Sequence, residues 1–230
     1  MRHRKVNMLM VLLVVGFNSH AQTEMDIGYD SKYVTEGRNN LVEGGIVWVS
    51  VNHQLDTSWL IGAAYGEASN DAVDYDELNV SIAFSRQVGD LWYSLNYTRL
   101  EFYADNQSDN ELGVFASWEG FEHVILTFEV VYSSQADGSF LQLGVTNGYK
   151  LSRDLMLSPY AKIAFDFGYA SERSEGHNHY ALGANLRYQF TQNISVISMA
   201  EYNIGGSYLK DLNDNQSDQA WAGLHLNVIF

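Results

Sequence analysis

The chain closes on AWAGLHLNVIF, and this stretch constrains the fold more than any other. From Ala220 one set runs Ala220, Ala222, Leu224, Leu226, Val228 and Phe230, with no polar member. The alternate set, Trp221, Gly223, His225, Asn227 and Ile229, is mixed. Period-two alternation puts successive side chains on opposite faces of an extended strand, so this segment reads as a strand with one apolar and one mixed face. A soluble sandwich also needs one apolar face, so the ending alone leaves two architectures open.

The pattern recurs along the chain. It is clearest in Leu78-Val80-Ile82-Phe84, Leu112-Val114-Ala116-Trp118, Leu126-Phe128-Val130-Tyr132, Leu141-Leu143-Val145, Ala161-Ile163-Phe165-Phe167-Tyr169 and Tyr180-Leu182-Ala184-Leu186-Tyr188-Phe190. Weaker stretches cover 25–33, 46–53, 59–65, 91–97 and 194–204, and the terminal strand brings the count to twelve. The connections alternate too. QLDTS, RQVGD, EGFEH, KLSRD and FTQN are short. TEGRNNLVEGG, EASNDAVDYDE, ADNQSDNE, SSQADGS, SERSEGHNH and YLKDLNDNQSD are longer and rich in Asp, Asn, Glu and Ser. Outer-membrane barrels have short periplasmic turns, longer outer loops and an even strand number. Twelve strands that start and end on the short-turn side need five short and six long connections, as counted here.

The first residues, MRHRKVNMLMVLLVVGFNSHAQ, join a basic start (Arg2, Arg4, Lys5) to an apolar run from Met8 to Phe17 and a small-x-small site at Ser19-His20-Ala21. This predicts a signal peptide over 1–21, cleaved after Ala21, and export of residues 22–230. The run is too short to span a bilayer as a helix, which takes about 20 residues. Without those residues, ten bases stand against 28 acids, a net charge of −18. A chain so acidic does not bind nucleic acid or anionic headgroups through bulk charge. The absence of cysteine excludes disulfides and thiolate-bound metal. Nineteen glycines and 15 tyrosines with one proline suit long uninterrupted strands, in which proline would delete ladder hydrogen bonds.

Aromatics supply a second line of argument. Trp59, Trp92, Trp118, Phe121, Tyr188, Phe190 and Phe230 fall beside short turns. Tyr33, Tyr65, Tyr103, Tyr132, Phe140, Tyr169, Tyr180 and Tyr202 lie toward long loops. From Tyr180 to Phe190, steps of about 3.3 Å at a tilt near 40° climb roughly 25 Å, the height of a barrel's apolar band. Two aromatic girdles are expected at that spacing. The fold read from these features is all-β: a transmembrane antiparallel up-and-down β-barrel of twelve strands, with the apolar set ending at Phe230 facing lipid. Closure removes the sheet edges that hydrocarbon does not tolerate. The terminal Phe resembles the closing strand that the barrel-assembly machinery of bacteria reads, which implies that machinery and outer-membrane lipid as partners.

DIGYDSKYVTEGRNNLVEGGIVWVSVN is similar to the opening hairpin of small proteobacterial outer-membrane porins of the TorF type, whose Y-V-x-x-G-R motif falls here on Tyr33, Val34, Gly37 and Arg38, with Gly44 and Gly45 leading the second strand. The motif covers the first hairpin, and length and acidic loops agree along the rest. The resemblance implies a barrel acting as a pore in the outer membrane of a Gram-negative bacterium, and names no solute.

Catalytic and ligand-holding groups were sought and none is nominated. No local motif marks a nucleophilic serine beside His53, His123 or His225, which read as hydrogen-bonded histidines of a polar lumen or rim. His177 and His179, near Glu172 and Glu175, read as a solvated loop, although such a set can hold a divalent ion weakly. DNQSD occurs at 105–109 and 214–218, with oxygen donors of the kind Ca²⁺ or Mg²⁺ takes but without EF-hand spacing. No catalytic, metal or cofactor site, and no cofactor, is therefore expected. The candidate pore lining mixes signs: Asp26, Asp30, Glu129, Asp166 and Glu201, with Glu77 beside them, against Lys32, Lys162 and Arg187. A channel for acidic solutes would carry a run of Arg and Lys. The expectation is a non-enzymatic, narrow passive pore for small neutral or cationic solutes. A closed, salt-bridged barrel that works through its acidic outer loops is the alternative, since twelve strands enclose a narrow lumen.

Overall fold

The computed structural model describes residues 22–41, 43–171, 175–211 and 218–230; the signal peptide expected over 1–21 lies outside these residues. Twelve strands form one closed ring: β1 (Thr23–Asp30), β4 (Ile46–Gln54), β5 (Trp59–Ala68), β6 (Asp76–Val88), β7 (Leu91–Phe102), β8 (Gln107–Phe121), β9 (Val124–Ser133), β10 (Gly138–Asn147), β12 (Leu155–Phe167), β13 (Glu175–Gln189), β14 (Ile194–Gly205) and β15 (Asp218–Ile229). Two two-residue strands, β2 (Val34–Thr35) and β3 (Arg38–Asn39), make a small separate hairpin; β11 (Tyr149–Lys150) extends the edge of β12, and one short helix, α1 (Ser207–Asp211), lies before β15. Each ring strand pairs antiparallel with its chain neighbour in the ring. The sheet closes where β1 meets β15, from Glu24↔Ile229 to Asp30↔Gly223. No strand of the ring is left with an unpaired edge, which is the condition for placing backbone in hydrocarbon.

The two faces are inverted relative to a soluble protein. On β1, Met25, Ile27 and Tyr29 are exposed while Glu24, Asp26 and Asp30 are buried. Of the twelve largest fully buried side chains among the described residues, eight are polar. A sandwich buries its apolar face, so this distribution selects the barrel. The terminal strand follows the same rule: Leu224 and Leu226 point outward, whereas His225 and Asn227 are buried inside. Phe230 is 68% exposed at the short-turn rim.

Two expectations about the rims are corrected. ADNQSDNE and SSQADGS are not long loops: the ladders of β7–β8 and β9–β10 run on, leaving 103–106 and 134–137 as tight turns. Asp109 ends its part of the DNQSD segment inside β8, where its carboxylate accepts from the hydroxyls of Ser133 and Ser134 and from the Gln135 N–H. Of the second copy, 214–217 lies outside the described residues. The aromatic rows also divide. Trp59, Trp118, Tyr188 and Phe190 face out at one rim and Tyr65, Tyr132, Tyr180 and Tyr202 at the other. Trp92, by contrast, points into the lumen against Phe115, ring centroids 5.7 Å apart. Tyr33, Phe140 and Tyr169 are 5%, 5% and 2% exposed and belong to the interior. Trp92 and Phe140 lie within β7 and β10 in the inward phase of Ser94 and Gln142, whereas Tyr33 and Tyr169 stand beyond the ends of β1 and β12 and turn inward.

Candidate functional site: the lumen and its long-loop mouth

The inward side chains are unevenly charged round the ring. Strands β1 and β15 bring Asp26, Asp30 and His225 together: His225 Nδ1 lies 2.7 Å from Asp26 Oδ1 and Nε2 lies 3.2 Å from Asp30 Oδ1. Gly28, paired directly with His225, leaves the room the imidazole fills; a Cβ there would stand 2.0 Å from the ring nitrogen. Lys32, just past β1, donates to Gln219 Oε1 at 3.0 Å.

Glu201 on β14 collects four donors: the Tyr160 hydroxyl at 2.8 Å and Lys162 Nζ at 3.2 Å from β12, Asn203 Nδ2 of its own strand at 3.1 Å and Trp221 Nε1 of β15 at 3.3 Å. Arg187 Nη1 donates to Ser195 Oγ at 3.3 Å. Glu129 projects inward from β9 opposite Gln142. The structure thus joins Asp26 with Asp30 and Lys162 with Glu201, and leaves Lys32, Glu129 and Arg187 apart. On β4, β6 and β7 the inward side chains include an uncharged run, Ser50, Asn52, Ser81, Ser94, Asn96 and Thr98.

The long-loop mouth is occupied by the chain itself. The first loop turns inward as the β2–β3 hairpin, closed by Glu36 and Gly37 with φ of 47° and 74°. Two successive positive φ values are the geometry of a two-residue hairpin turn, and glycine adopts it without strain. At its base, Tyr33 and Leu41 pack with Ile46, Tyr75, Leu100 and Phe102, and the Tyr33 hydroxyl donates to Glu77 Oε2 at 2.9 Å. At its tip, Gly37 lies against the His179 ring, and Arg38 Nη1 donates to the Ala170 carbonyl at 3.0 Å.

A second inward segment follows β12, where Asp166 accepts from the backbone N–H groups of Tyr169 and Ala170 at 2.8 and 3.1 Å. That turn aims the Tyr169 hydroxyl at Glu111 Oε1, 2.5 Å away on β8. Asp166, expected to line an open lumen, is fully buried as the anchor of this turn. Phe140 joins Tyr169, Val131, Ala164 and Ala170 in an apolar cluster beneath it. Burial pushes the Glu36 carboxyl in the hairpin up to about 8, with Arg38 and the Thr35 hydroxyl opposing the rise and Asp166 and Glu77 adding to it.

The described histidines have separate partners. His53 is paired with Thr23 Oγ1 at 2.9 Å and His123 is in an exposed turn. His179 contacts Asn178 Oδ1 at 2.7 Å, while His177 packs on Tyr180. Among the described residues no three His, Cys, Asp or Glu side chains stand close enough to hold a metal ion. The inward residues that sequence reasoning missed are Glu36, Gly37, Asp109, Glu111 and His179. A signal existed for the hairpin: T-E-G-R places a turn pair between Val34 and Arg38, and Leu41 is an isolated apolar residue in a polar loop.

These features define a class: a closed transmembrane β-barrel with a polar lumen and a mouth filled by its own loops. No protein-family model and no curated protein sequence matches the chain, so the TorF resemblance rests on the hairpin motif alone. Solved structures do match the fold. The KdgM porin superimposes with a TM-score of 0.63 at 8% identity, covering 90% of this chain and 99% of that one. The NanC porin gives 0.56 at 11% identity, covering 90% and 98%. LpxR from Salmonella typhimurium, an enzyme, gives 0.52 at 9% identity, covering 90% and 100%.

Proposed function

We propose that this barrel is a narrow, passive, non-enzymatic pore of a Gram-negative outer membrane, admitting small neutral or cationic solutes. The observation that carries the reading is the lumen's charge arrangement. Lys32, Lys162 and Arg187 are each engaged by a wall partner, and the acids Glu24, Asp26, Asp30, Glu129 and Glu201 outnumber them. An anion meets no continuous row of Arg or Lys, the lining that anion-selective pores use. The likeness to porins supports the barrel itself. In this reading the chain is exported, loses 1–21, is inserted by the barrel-assembly machinery and sits with its short turns in the periplasm. Reversal potentials of the purified protein across a salt gradient test the solute class. Fractionation with the outer membrane and a heat-modifiable gel band test the location, and recovery in soluble periplasm without detergent sinks it. The filled mouth favours one second reading, a closed barrel that acts through its acidic loops.

A further inference from the structure

We propose that residues 33–41 form the constriction that limits passage, so that the size limit of this barrel is set by its first loop and not by its wall; the inference rests on the pore reading above. Round the ring, β6 and β13 are six places apart in a circle of twelve, so they face each other across the lumen. The hairpin touches both. Its base is held on one side by the Tyr33–Glu77 bond of 2.9 Å to β6 and by Leu41 in the cluster with Leu100 and Phe102 of β7. Its tip reaches the other side, where Gly37 is so close to His179 on β13 that an added Cβ would lie 2.7 Å from the ring. The hairpin therefore lies along a diameter of the mouth.

The second chord narrows what is left. Tyr169, beyond β12, reaches Glu111 on β8, three places away in the ring. Below these chords, β5 and β6 carry small inward side chains, Gly62, Ala64, Ser81 and Ala83. A solute crossing the barrel must pass beside the hairpin, whose flanks offer Arg38 and Asn40, both half-buried.

The test compares the full-length protein with a variant in which 34–40 is replaced by a short glycine–serine linker, leaving Tyr33 and Leu41 in place. Single-channel conductance and the largest polyethylene glycol that enters are measured for both. The expected result is a rise in conductance of about twofold or more, with a larger size cut-off. A silent parent beside a conducting variant supports the assignment equally. Equal conductance and equal cut-off overturn the constriction while leaving the pore reading intact. Silence of both, with both bands heat-modifiable, overturns the pore reading and the constriction together. Should the linker variant fail to fold, Asn40→Cys serves in its place, because the chain has no other cysteine. Attaching a charged thiol reagent there is expected to lower the current by about half; complete modification by mass with unchanged current overturns the proposal.

Discussion

Leu182 and Asn185 stand on one strand, β13, and face different solvents. Leu182 is 56% exposed on the apolar surface, as is Leu224 on β15, whereas Asn185 lies on the lumen face with Gly183 and Arg187. Leu182→Arg or Leu224→Arg should cost about 2–4 kcal/mol near mid-membrane, read by denaturant-dependent refolding into vesicles. Asn185→Arg should refold nearly as the parent does, because its charge meets water and Glu201. Equal damage at all three sites would mean that the lipid and lumen faces are interchanged.

Glu36 makes the residue-scale case for pH. Its burial holds the carboxyl's proton up to about 8, against an ordinary value of 4.5. The docked hairpin therefore binds a proton that the undocked one releases. Docking is at full strength below the ordinary value and weakens as pH rises from 4.5 to 8, by at most about 1.4 kcal/mol per pH unit. Hydrogen exchange across 33–41, corrected for intrinsic rate, should accelerate over that window. Glu36→Gln should flatten the dependence, and an unchanged slope in that variant would assign it elsewhere.

At the scale of elements, the β2–β3 hairpin depends on a residue without a side chain. Gly37 combines a φ of +74° with a His179 ring in the space of any Cβ, so Gly37→Ala is strained twice over. The tip should lift, and trypsin should cut after Arg38 faster than in the parent, with the barrel itself still resistant. Cleavage at the parental rate would show that the tip is not held as described. The contrast between strands and loops also explains what was legible in the sequence. Ring strands were readable because lipid on one side and water on the other impose period two on every one of them. That logic gave the twelve strands and the outward placement of Leu78, Leu126 and Leu224. It also puts Trp92 and Phe140 on the inward phase, so grouping them with the girdles by nearness to a strand end overrides it; for Tyr33 and Tyr169, beyond their strands' ends, it says nothing. Nor does polar loop composition say whether a loop stands in water or folds into a polar lumen, because both environments satisfy its backbone. Phase alone puts Asp26, Asp30, Lys162 and Glu201 on the polar faces of their strands, whereas the bonds that link them across strands require the register.

At the scale of the whole molecule, the proposed pore's selectivity rests on charge. Inside, Glu24, Asp26, Asp30, Glu129 and Glu201 face Lys32, Lys162 and Arg187, with His225 held between two of the acids. Low-dielectric walls focus the field of such a lining, enriching cations and depleting anions along the path. The bases offset part of that field, and the Lys162–Glu201 pair at 3.2 Å cancels much of its own contribution. Mild cation preference is the expected outcome, not exclusion of anions. The preference should fade with salt, since the Debye length falls from about 10 Å at 0.1 M to about 3 Å at 1 M. Neutralising Asp26 and Asp30 together, as Asn, should move the reversal potential toward zero at low salt and leave it nearly unchanged at high salt. Neutralising Arg99, which is paired with Glu101 at 2.7 Å on the outer face of β7, should leave the reversal potential unchanged at both salt concentrations. Anion preference at low salt would contradict the arrangement of the lumen lining, and an unmoved reversal potential in the double variant would place the selecting charges elsewhere than at Asp26 and Asp30.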